Sequence, residues 1–74
     1  MDREDKELIG RLFAAATVLI EDAHEIAVAG QSPKSGVKAT VGAACALREA
    51  AQDAAILAQA ALIIARRAGP RDRH

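Results

Sequence analysis

Between Val37 and Ala68 the chain carries two interleaved seven-residue series, Ala43, Ala50, Leu57, Ile64 and Leu47, Ala54, Ala61, Ala68. At about 100° per residue both series fall on one side of an α-helix, so the stretch reads as a single sustained heptad helix. The side chains are small in its first half and large in its second. A neighbouring helix can therefore approach closely near Ala43 and Ala50 and is held off by Leu57 and Ile64, since interaxial distance follows side-chain size. Ala46, Ala51, Ala58, Leu62 and Ala65 widen the face beyond the roughly 100° stripe of a one-sided surface helix. Ile56 and Ile63 lie seven apart on another side, beside a polar line of Cys45, Gln52, Gln59 and Arg66. High helix propensity accounts for the alanine but not for branched residues on two sides. The pattern predicts contact with more than one neighbour.

Upstream, Leu8, Leu12, Ala16, Leu19, Ala23 and Ile26 form an apolar face, widened by Ile9, Phe13, Ile20 and Ala27, with Arg11, Glu21 and Glu25 elsewhere. This predicts a first helix over about residues 3–29, capped by Asp2 with acids in its first turn. Gly10 inside it costs about 1 kcal/mol relative to Ala, which close packing against a neighbour would explain. Gly30 is placed to end the helix in the left-handed conformation. The loop is 30–36, where Ser32, with Pro33 in the first helical position, or Ser35 caps the second helix over about 37–68. Gly69 and Pro70 stop it, leaving a frayed tail at 69–74.

Helices of this length span about 40 and 48 Å, and a hairpin so slender has no closed core. The chain has 74 residues, and one of this size buries only about 60% of the surface its unfolded form exposes. One cysteine, Cys45, excludes an intrachain disulfide and offers no structural zinc set. Association is the remaining route to stability. The expected fold is all-α: one domain, residues 1–74, a two-helix antiparallel hairpin that forms a homodimeric four-helix bundle. The expected oligomer interface is Ala43, Leu47, Ala50, Ala54, Leu57, Ala61 and Ile64. Gln52 and Gln59 are candidates to pair across the two-fold axis and fix its register.

Ten acidic and ten basic residues give a formal net charge of zero, so no global field draws the chain to nucleic acid or an anionic membrane. Asp2, Glu4, Asp5 and Glu7 crowd the start while Arg66, Arg67, Arg71 and Arg73 crowd the end. The acidic start lacks the basic region and apolar core of a secretory signal. The most apolar window, Ala54 to Ala65, is interrupted by Gln59 and is too short for a membrane span. A cytoplasmic protein that does not engage membranes is the expectation.

Glu21-x-x-His24, with Glu49 on the second helix, is the sharpest candidate for chemistry, because ferritin-like bundles build di-iron sites from Glu and Glu-x-x-His. Against it, Glu21 points about 155° and His24 about 95° from the apolar face, whereas bundle ligands point inward. His24-Glu25-Ile26 resembles the start of the phosphoacceptor box of histidine kinases, whose dimerisation domains are hairpins forming four-helix bundles. The resemblance covers three residues. Ala27 to Gly30 stand where the box has a basic residue and a proline, so membership does not follow. Gly30 to Ser35 lacks the glycine spacing of a phosphate loop. Arg66 and Arg67 are the candidate nucleic-acid contacts, but Phe13 is the only aromatic residue available for stacking. No nucleophile has a base beside it. The sequence therefore points to a non-enzymatic interaction or structural module without a cofactor that homo-oligomerises through its second helix, as a dimer or a higher oligomer, with apolar surface to offer an unidentified protein partner. The alternatives are a carboxylate/His metal-binding bundle using Glu21, His24 and Glu49, and a small RNA-binding dimer.

Overall fold

The computed structural model describes residues 1–68. It consists of two α-helices, α1 (Arg3–Ala29) and α2 (Val37–Ala68), which pack against each other as a hairpin. Gly69, Pro70 and the tail 69–74 lie outside the described residues. The Asp2 carboxylate accepts a hydrogen bond from the Asp5 N–H at 2.9 Å, satisfying one of the donors that a helix start leaves orphaned. Glu4 and Asp5 in the first turn of α1 and Arg66 and Arg67 in the last turn of α2 suit the helix dipoles. The exposed Arg3–Glu7 pair, 3.3 Å apart one turn along α1, adds a few tenths of a kcal/mol.

The exit from α1 differs from the sequence reading. Gly30 sits at φ −66°, ψ −14°, in the right-handed region, and no described residue has positive φ. The reason lies in the carbonyls. Gln31 N–H donates to Val28 O at 3.1 Å and Ser32 N–H to Ala29 O at 3.2 Å. These tightened bonds occupy the last carbonyls of the helix without a left-handed residue. The start of α2 also departs from expectation. Thr40 N–H donates to Gly36 O at 3.0 Å, which puts Gly36 in the capping position and Pro33 outside the helix. The Ser32 hydroxyl accepts instead from Lys34 N–H within the loop. Neither serine hydroxyl holds the first turn of α2 in any described hydrogen bond.

Half-buried residues on α1 recur at Ile9, Leu12, Ala16, Leu19, Ala23 and Ile26, the three-and-four spacing of one helix face. On α2 they are Ala43, Ala46, Leu47, Ala50, Ala54, Leu57, Ala60 and Ile64, with Ala61 and Ala68 buried. Together they form one seam along the hairpin. Ile9 takes the inward place expected of Leu8, which is 45% exposed.

Close packing does not account for Gly10. A Cβ built on Gly10 or on Gly42 meets nothing within 4 Å. Both glycines therefore cost backbone entropy and gain no contact. Gly10→Ala and Gly42→Ala should each raise stability by about 0.5–1 kcal/mol, measurable as a rise of several degrees in thermal midpoint for a chain of this size.

Candidate functional site

An open apolar groove of about 350 Å³ runs along one face of the hairpin. Its α1 wall is built from Leu12, Phe13, Ala16 and Ile20. Its α2 wall is almost entirely alanine, Ala51, Ala54, Ala55, Ala58 and Ala61, joined by Leu57. No charged or polar side chain lines it. Phe13 and Ile20, one heptad apart, are 60% and 59% exposed and stand as ridges beside the alanine floor. At the loop end the same face continues as a shallower recess of about 220 Å³ between Ile26, Ala27 and Gly30 and the residues Thr40, Ala43, Ala44 and Leu47.

The opposite face is different. At about 100° per residue Glu4 and Asp22 of α1 and Glu49, Asp53 and Arg67 of α2 fall on that side. Exposed Val18 and Ile56 fall on that side as well, so it mixes charged and apolar side chains where the groove has apolar ones alone.

The seven residues expected at an oligomer interface, Ala43, Leu47, Ala50, Ala54, Leu57, Ala61 and Ile64, are brought together in the seam against α1. Ala61 is buried there and the other six are half-buried. Each half-buried side chain retains an open flank, and for Ala54 and Leu57 that flank is the groove. Gln52 and Gln59 are exposed and fall on the side of α2 away from the seam.

Glu21, His24 and Glu49 are all exposed. Among the described residues no three His, Cys, Asp or Glu side chains converge as a metal site would require. Cys45 is a free, exposed thiol. Arg66 and Arg67 are exposed at the end of α2. Arg67 shares a cleft of about 220 Å³ with Asp5, Leu8, Ile64 and Ala68, so an acid adjoins the two arginines that are the candidate nucleic-acid contacts. No helix of the described residues is long and apolar enough to cross a membrane.

The ridge residues carry a signal in the sequence that a single-face reading of α1 overlooks. Ile9, Phe13, Ala16, Ile20, Ala23 and Ala27 follow alternating steps of four and three, which is a second heptad stripe turned towards the groove. Comparison of the chain with models of protein families, with curated proteins and with solved structures finds no match.

Proposed function

We propose that the chain is a small, non-enzymatic helical module of the cytoplasm whose activity is assembly, two hairpins closing into a four-helix bundle. The observation that carries this reading is the missing core. Only Ala61 and Ala68 are buried among the described residues, while Phe13 and Ile20 beside the groove are 60% and 59% exposed. The accessible surface is 5896 Å². A compact monomer of 7.7 kDa exposes about 4,300 Å², so the hairpin exposes more surface than a closed globular fold, in part because of its slender two-helix shape.

The dispersal of the polar candidates supports a binding role over a chemical one. Glu21, His24 and Glu49 do not converge, and the groove offers no acid, base or nucleophile to a substrate. Native mass spectrometry of protein purified without chelators tests the reading directly. The expected species is two chains of 7.7 kDa with no bound metal. A stoichiometric metal adduct, or a single chain at all concentrations, would overturn it.

A further inference from the structure

The geometry points to a second copy of this chain as the occupant of the Phe13–Ile20 groove. The two copies would be related by a two-fold axis parallel to the helices, so that both loops lie at the same end of the bundle. This inference rests on the assembly reading above and adds to it the contact face and the orientation.

Three observations select the occupant. The first is area, because the chain exposes more surface than a compact monomer of its mass. The second is charge. The groove is lined by apolar residues alone and the chain has no net charge, so two copies meet without repulsion and without stranding a buried ion. The third is shape. An isologous interface requires one patch to be complementary to itself, and this face carries both halves of such a fit. Phe13 and Ile20 project from α1, and a floor of alanines recedes on α2.

The same asymmetry sets the direction. Two hairpins can stack face to face about an axis parallel to the helices or about one perpendicular to them. The perpendicular axis puts α1 on the partner's α1 and α2 on the partner's α2. Phe13 and Ile20 then prop one edge apart while the alanine edge, which favours close helix approach, gapes. The parallel axis puts α1 on the partner's α2 and preserves level along the bundle. Phe13 then enters the hole beside the partner's Ala58 and the partner's Ala61. Ile20, seven residues later, enters the hole beside the partner's Ala51 and the partner's Ala55. The knobs and the holes share the heptad spacing that knobs-into-holes packing requires.

The test combines two measurements on the intact chain. In sedimentation equilibrium, Phe13→Glu/Ile20→Glu is expected to weaken dimerisation at least a hundredfold. Ile56→Glu/Ile63→Glu, which places the same charges on other exposed apolar positions of α2, should leave it within a few-fold of wild type. A wild-type chain that is monomeric throughout would defeat the assembly reading itself. A wild-type dimer that survives the Phe13/Ile20 change and is broken by the Ile56/Ile63 change would defeat only the face. For orientation, a spin label on Lys34→Cys in a Cys45→Ala background reports the distance between the two loops. The loops lie one helix diameter, about 10–12 Å, apart in this arrangement, so a label-to-label distance of no more than about 25 Å is expected, whereas a separation approaching the roughly 48 Å length of α2 would establish the perpendicular axis and overturn the proposal.

Discussion

Ala61→Asp should abolish the cooperative thermal transition of this protein. Ala61 is 4% exposed, the most buried residue of the seam, and the new carboxylate would find no cation among the apolar side chains around it. An unpaired buried charge costs several kcal/mol. A chain of this length has about 4–11 kcal/mol of stability in total, so the seam opens rather than hold the ion. Circular dichroism during heating is the readout, and the loss of a sharp transition matters more than residual signal, because an alanine-rich helix of this length keeps some helicity alone. Gln59→Asp is the matched control. It adds the same group two residues away at an exposed position and should cost less than about 1 kcal/mol. A sharp transition retained in Ala61→Asp within a few degrees of wild type would show that the seam does not run through Ala61.

The second large effect belongs to Leu57→Ala. In the single hairpin Leu57 is half-buried, with one flank in the seam and the other on the groove. If a second copy closes the groove, Leu57 becomes a core leucine of the bundle. Truncating a fully buried leucine to alanine costs about 2–5 kcal/mol, from lost transfer energy and the cavity left behind. In an isolated hairpin the open flank already touches water, so the loss should be nearer 1 kcal/mol. Denaturant unfolding at fixed protein concentration separates the two cases. A loss of about 3 kcal/mol per chain supports closure of the groove, and one near 1 kcal/mol speaks against it.

The all-helical hairpin was legible in the sequence because its signals are local and mutually consistent. Apolar residues at three-and-four spacing define α1 and α2, and Asp2 marks a start that the structure realises as a carboxylate-to-amide hydrogen bond. Details were lost where two local solutions compete. Gly30 permits a left-handed exit, yet backbone bonds from Gln31 and Ser32 to Val28 and Ala29 end the helix without one. Ser32 and Ser35 are both competent caps, yet the chain reaches α2 through Gly36.

The site was harder to read than the helices. On α2, Ala51, Ala58 and Ala65 adjoin Ala54, Ala61 and Ala68 so closely around the helix that periodicity defines one broad apolar arc. It does not divide that arc between α1 and any further neighbour. Packing makes the division, placing Ala61 in the seam at the edge of the groove and Ala58 on the exposed groove wall alone. On α1, Phe13 and Ile20 widen the core face in a helical projection, yet both stand more than half exposed. Glu21 and His24 share the spacing of a ligand pair, but periodicity already turned them from the apolar face, and both are exposed.

Light scattering across a dilution series from millimolar to sub-micromolar, with circular dichroism recorded on the same samples, tests the assembly most directly. The expected result is a mass of two chains that falls towards 7.7 kDa on dilution, with helical signal and cooperative unfolding lost in parallel, since neither hairpin holds a closed core alone. A monomer that keeps its full helicity and a sharp transition at every concentration would contradict the proposal that this hairpin is completed by its own copy.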